Sequence, residues 1–166
     1  MSIRFPYHFM QLMEEVVSYS TEHVRSGGIP FTAFVVDADG VILGRGVNRV
    51  LENHDPTAHA EVEAIRDACR TVGVHQLRDA TLLASGEPCA MCYLNAFFAG
   101  INEVIYAVDR DDAAKAGFDY RDSYQMLAHF PHQWPMKVHK YATAQALEPF
   151  NLWKKKGVSC EYNTKA

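Results

Sequence analysis

ATLLASGEPCAMCYLNAFFAG, residues 80–100, passes from strand to helix within a few positions. Residues 80–85 form a short apolar strand. Gly86, Glu87 and Pro88 turn the chain, and AMCYLNAFFA reads as a helix that ends at Gly100. A strand feeding a helix is the working unit of an α/β sheet, and the flanking sequence continues that alternation. Upstream, Thr57 serves as an N-cap for a helix in which Val62, Ile65, Cys69 and Val72 recur at helical spacing before Gly73. Downstream, VIYAV, residues 104–108, is a further strand, and residues 111–117 form a short helix or turn. Nearer the start, FTAFVVD (31–37) and VILGRGVN (41–48) are antiparallel strands joined at Ala38, Asp39 and Gly40. Leu12, Met13, Val16, Val17 and Val24 set a first helix over residues 9–24, closed by Ser26-Gly27-Gly28.

The last third is less regular. Pro131 and Pro135 punctuate residues 119–166, and ALEPFNLWKKK reads as a short helix broken at Pro149. This segment has too little periodic apolar pattern to be a domain, so residues 1–166 are expected to form one domain, with the tail packed on its own core or a partner's.

Composition narrows the function. The 166 residues are 48% apolar and 22% charged, as in an ordinary compact domain. A chain of that length buries roughly 70% of its unfolded surface, so neither disulfides nor a structural metal is needed, and a metal held here serves chemistry. Sixteen Lys and Arg against twenty Asp and Glu give a net charge of −4, which offers no broad basic surface to a nucleic acid. No apolar run reaches the ~20 residues of a membrane span, and Glu14 and Glu15 interrupt the N-terminal region where a signal peptide would be apolar. A cytoplasmic location is expected, where the four cysteines are free, metal-bound or catalytic.

Two motifs at helix starts carry the chemistry: His59-Ala60-Glu61 and Pro88-Cys89-Ala90-Met91-Cys92. Cysteines at i and i+3 face one side of a helical turn and can bind one zinc as thiolates, with His59 as third ligand. Three protein ligands leave a position for water, the pattern of catalytic rather than structural zinc. Glu61 stands beside that position. Two helix N-termini favour the thiolates and the ionisation of the water. His59 and Glu61 would diverge in mid-helix, but less so in a first turn with the metal beyond the helix end. Each element alone has a simpler reading: a redox Cys-x-x-Cys pair, a packed histidine, a first-turn carboxylate. Together, H-x-E followed by P-C-x-x-C is the signature of zinc nucleobase deaminases.

DPTAHAEVEAIRDAC (55–69), EPCAMC (87–92) and DDAAKAGFD (111–119) closely resemble the guanine deaminase branch of the cytidine deaminase-like superfamily. PFTAFVVD, GVNRV, EPFNLW and Glu161-Tyr162 extend the resemblance over most of the chain. It implies a three-layer α/β/α sandwich with a mixed sheet. It also implies a homodimer in which the segment 119–166 is exchanged and helps close the neighbouring site. One Zn2+ per subunit falls to His59, Cys89 and Cys92, and the proton shuttle to Glu61, which would move the water proton to a ring nitrogen and then to departing ammonia.

The substrate positions implied are Phe31, Asn48, Ala60, Phe98, Asp119, Tyr120 and Tyr162. Asn48 would hydrogen bond the base, though a strand-end asparagine can also fix a turn; Phe31 would pack on the base face, though a lone Phe is more often core. Three positions depart from the family. Tyr120 replaces a second Asp, Phe98 a pocket tryptophan and Gly86 a cysteine. The six-membered ring of guanine is an isocytosine, so guanine and free isocytosine both remain candidate substrates. A cytosine or tRNA adenosine deaminase on the same fold, or a non-catalytic zinc or redox module, are the alternatives.

Overall fold

The computed structural model describes residues 6–157. They fall in two compact units, Met1–Ala128 and His129–Ala166. In the first, α1 (Tyr7–Arg25) is followed by a hairpin of β1 (Thr32–Val36) and β2 (Ile42–Val47). The Asp37 carboxylate fixes its turn by accepting the backbone N–H groups of Asp39 and Val41 at 3.0 and 2.8 Å. There follow α2 (Val50–Asn53), α3 (Ala60–Val72), β3 (Thr81–Gly86), α4 (Ala90–Phe98), β4 (Glu103–Val108), α5 (Arg110–Lys115) and α6 (Asp122–Leu127).

The strands form one sheet in the order β2-β1-β3-β4, with β1 antiparallel to both neighbours and β3 parallel to β4. Alternation along the strands builds two cores. Phe34, Val36, Leu83 and Ile105 face Phe9, Leu12 and Val16 of α1. Ala33, Val35, Leu82 and Ala84 face the other way, onto α3 and α4. The result is a mixed-sheet α/β/α sandwich, with α1 on one face and α3 and α4 on the other. With both faces covered, β1 and β3 are buried along their whole length, each large apolar side chain contributing about 1.5–3 kcal/mol.

The seating of α3 decides where the site lies. Ala60, Ala64 and Ala68 form a bare stripe on α3, and opposite them β2 offers Gly44 and Gly46. A Cβ on Gly46 would lie 2.0 Å from the Ala60 carbonyl oxygen, and one on Gly44 2.4 Å from that of Ala64. Backbone therefore lies on backbone, and the first turn of α3 is held at a set height above the strand ends.

Several local expectations need correction. Residues 49–56, to which the sequence assigned no element, contain α2, a single turn started by the Asn48 side chain accepting Val50 N–H at 3.2 Å and ended by His54 at φ 49°. Helix α3 begins at Ala60 with His59 as N-cap, because Thr57 is engaged by the Asp55 carboxylate through its N–H (2.8 Å) and hydroxyl (2.7 Å). Residues 122–127, read as irregular, are α6. In the second unit, Pro149 does not break α7 (Glu148–Lys155) but sits in its first turn, where no N–H is required. Within this unit, residues 129–157 include a 3-10 turn at Pro131–Gln133, and none of the described residues is buried. Among the described residues no helix is long and apolar enough to cross a membrane.

Candidate active site

Two of the three donor residues occupy helix N-caps. His59 precedes α3 at φ −71°, ψ 155°, and Cys89 precedes α4 at φ −68°, ψ 171°; neither side chain caps its helix. Positions that favour Ser, Thr, Asp or Asn are given to side chains that face each other instead. Cys92 lies on the first turn of α4. His59 Nδ1 is 3.7 Å from Cys89 Sγ and 3.5 Å from Cys92 Sγ, and the two sulfurs are 3.5 Å apart. A tetrahedral zinc with bonds of ~2.3 Å to sulfur and ~2.05 Å to nitrogen requires edges of about 3.8 Å (S–S) and about 3.6 Å (N–S). The three donors thus form one face of such a tetrahedron. Among the described residues they are the one His/Cys/Asp/Glu cluster of this kind.

The donors perturb one another as ligands do. The hydrogen bond with Cys92 lowers the Cys89 thiol to about 4, aided by His59 and opposed by burial. The same hydrogen bond, with burial, holds the Cys92 thiol up. Its contact with Cys89 raises His59. Glu61, on the first turn of α3, is 5% exposed. Burial pushes its carboxyl above the ordinary value, while its own backbone N–H and His59 pull the other way. A buried carboxyl with raised proton affinity is suited to taking and returning a proton.

His59, Glu61 and Cys89 line a cavity of about 450 Å³, whose walls include Phe31, Asn48, Phe118, Asp119 and Tyr120. Phe31 meets Phe118 edge to face at 5.2 Å and 87° and Tyr120 at 6.2 Å and 75°. It lies so close to Gly86 that a Cβ there would be 2.9 Å from its ring. Glycine at position 86 therefore leaves room for this aromatic wall.

Residues 7–108 match the family model for the cytidine and deoxycytidylate deaminase zinc-binding region. The chain is 38% identical to a guanine deaminase of Bacillus subtilis over 90% of its own length and 96% of the relative's. It is similar to the X-ray structure of guanine deaminase from Bacillus subtilis, with a TM-score of 0.85 and 36% identity over 95% of this chain and 99% of that one. A tRNA-specific adenosine deaminase of Agrobacterium fabrum is 38% identical over 60% of this chain and 62% of its own. The chain belongs to the zinc-binding cytidine and deoxycytidylate deaminase family. Zinc is the metal of this family, and His59, Cys89 and Cys92 are positioned to hold it.

The deaminase brings together part of the remaining set. Asn48 lines the cavity and also fixes the turn into α2: its Oδ1 accepts Val50 N–H, while its amide nitrogen donates to no described residue. Asp119 lines the cavity, but its carboxylate accepts Arg121 Nε at 2.8 Å and Nη2 at 2.6 Å, which holds it down to about 2. Tyr120 presents its ring to the cavity and donates its hydroxyl to the Glu87 carbonyl at 2.7 Å.

Two residues are not brought into the cavity. Ala60 is buried against β2, although it adjoins His59. Phe98 ends α4, about 13 Å along the axis from Cys89 at ~1.5 Å per residue, and is 52% exposed. Tyr162 and Cys160 lie outside the described residues. His54 ends α2 and does not line the cavity.

The sequence reading passed over Glu87, Val50, Leu51 and Phe118, which line the cavity. Phe118 and Glu87 lie inside the quoted motifs AGFD and EPC; Val50 and Leu51 are apolar residues in a polar stretch. Glu87 is buried and accepts Arg110 through both carboxylate oxygens, at 2.5 and 3.0 Å, and through Arg110 N–H at 2.9 Å.

Proposed function

We propose that this deaminase hydrolyses the exocyclic amine of a free 2-amino-4-oxo base, guanine or isocytosine, giving the oxo base and ammonia. The observation that carries the reading is that Glu61, the zinc donors His59 and Cys89, Asn48 and Phe31 line one cavity. Bound zinc supplies an activated water at neutral pH. Glu61 would take one proton of that water to the ring nitrogen beside the reacting carbon as the water oxygen adds to that carbon, and would then carry the second proton from the added hydroxyl to the amine, so that the C–N bond breaks, ammonia leaves and the oxo group forms. Asn48 donates its N–H to the ring oxo group, and the second lone pair of Oδ1 accepts a ring N–H. Phe31 packs on the base.

The Bacillus relative supports guanine. Tyr120, which has no carboxylate to offer the five-membered ring, supports isocytosine. Ammonia release from guanine, isocytosine, cytosine, adenine and guanosine, measured side by side, tests the reading. Turnover of guanine or isocytosine is expected, and turnover of cytosine or adenine alone would overturn it. The similarity to a tRNA-specific adenosine deaminase favours a second reading, against which a net charge of −4 weighs because phosphate contacts need clustered Lys and Arg. Salt-sensitive tRNA binding would support it.

The same reading includes a cytoplasmic homodimer that exchanges its C-terminal segment. Its support is that residues 129–157 bury no core of their own while exposing Phe130, Tyr141, Leu147, Phe150 and Trp153. Removal of residues 160–166 is expected to raise KM; an unchanged KM would exclude Tyr162 from the site.

A further inference from the structure

The turn that carries Cys89 has a weakness that follows from its sequence. Cys92 and His59 sit on or against helical turns, but Glu87 and Pro88 lie between the end of β3 and the N-cap of α4. Their carbonyl groups are within buried residues and belong to neither a strand ladder nor a helix, and Pro88 has no N–H. One segment, 33 to 36 residues farther along, meets the need. The Tyr120 hydroxyl donates to Glu87 O at 2.7 Å, the Tyr124 hydroxyl donates to Pro88 O, and Ser123 Oγ accepts Ala90 N–H at 3.3 Å. The Glu87 side chain is held from another side by Arg110, whose guanidinium lies 4.0 Å over the Tyr124 ring. Tyr124 thus grips the backbone immediately before Cys89 and covers the ion pair that anchors the residue before that.

We propose that Tyr120, Ser123 and Tyr124, backed by Arg110, are positioning residues that hold the Cys89 turn in ligand geometry, so that zinc retention depends on the segment 120–124, which runs into α6. The three hydroxyl oxygens are engaged by the backbone, and they act by fixing the two carbonyls and the N–H that bracket Cys89. The inference rests on the zinc site and on no particular substrate, so its test reads the metal and is independent of which base is deaminated.

The Tyr120→Phe/Tyr124→Phe double variant of the zinc-loaded protein removes both hydroxyls and keeps both rings. Zinc transfer to a chromophoric chelator is expected to run about tenfold faster than in the wild type, as loss of groups that orient a ligand predicts. The cobalt(II)-substituted protein is expected to show a shifted visible ligand-field band. A role confined to general stability would lower Tm and leave both readouts unchanged. Ser123→Ala, which removes only the acceptor for Ala90 N–H, is measured in the same way and covers the case in which the double variant does not fold; a smaller acceleration of the same sign is expected. Release rates within about twofold of wild type, with superimposable cobalt spectra, in whichever of these variants folds would overturn the proposal.

Discussion

Glu61 occupies the second position of α3, where the helix dipole favours its anion while burial favours its protonated form. The two influences oppose each other, which suits a group that must bind a proton and give it up within one turnover. Glu61→Gln keeps the volume and removes the proton capacity. Because positioned acid–base groups contribute about 10²–10⁴-fold, kcat is expected to fall by about that factor while zinc content, by elemental analysis, stays at the wild-type level. Near-normal turnover with metal retained would remove Glu61 from proton transfer. Glu61, His59, Cys89 and Cys92 are legible in sequence because short local spacing puts ligand atoms on adjacent helix starts. The partners of the Cys89 turn are not. Tyr120 and Tyr124 act on backbone oxygens more than thirty residues away, and no side-chain type or spacing marks a carbonyl that lacks a partner.

At the level of elements, the seat of α3 on β2 controls the site. His59 and Glu61 leave the first turn of that helix, and its height is set by Ala60 against Gly46. Gly46→Ala places a methyl group against the Ala60 carbonyl, which can yield only if α3 moves. Overpacking of this kind costs about 1–3 kcal/mol, and each kcal/mol lowers Tm by about 2–4 °C in a chain of this size. The same displacement moves His59 relative to α4, so reduced zinc occupancy is expected alongside the lower Tm. Unchanged values of both would show that β2 does not set the site. The strands were readable because both faces of β1 and β3 are apolar and turn residues bound them. Helices α2 and α6, with four and six residues, are shorter than two turns, so no apolar period could announce them. The start of α3 was misplaced at Thr57 because Thr is a stronger capping type than His, whereas ligand geometry, not capping, governs that position.

Across the first unit, the apolar cores on the two faces of the sheet are distinct from the cluster of Val62, Cys89 and Cys92 at the metal site. The sandwich is therefore expected to fold without the ion, so that chelation abolishes turnover while far-UV circular dichroism keeps its helix and strand signal. The protonation of the donors adds a directional consequence. With Cys89 lowered to about 4 and His59 raised, the contact between them favours a thiolate beside an imidazolium in the metal-free protein. Folded-state stabilisation from the lowered thiol is fully present above the unfolded cysteine pKa of ~8.5 and is lost as pH falls through the folded value; that from the raised imidazole is fully present below ~6.5 and is lost as pH rises through its folded value. The pair itself persists between the two folded values. Zinc requires neutral imidazole and two thiolates, so it must displace the proton of Cys92 and compete with the raised proton affinity of His59. Calorimetric titration of the metal-free protein with zinc, in buffers of different ionisation enthalpy, is expected to show net proton release and an affinity that weakens as pH falls. Heats independent of the buffer would mean that these donors are already deprotonated before the metal arrives, and the mutual perturbation inferred from their contacts would not hold.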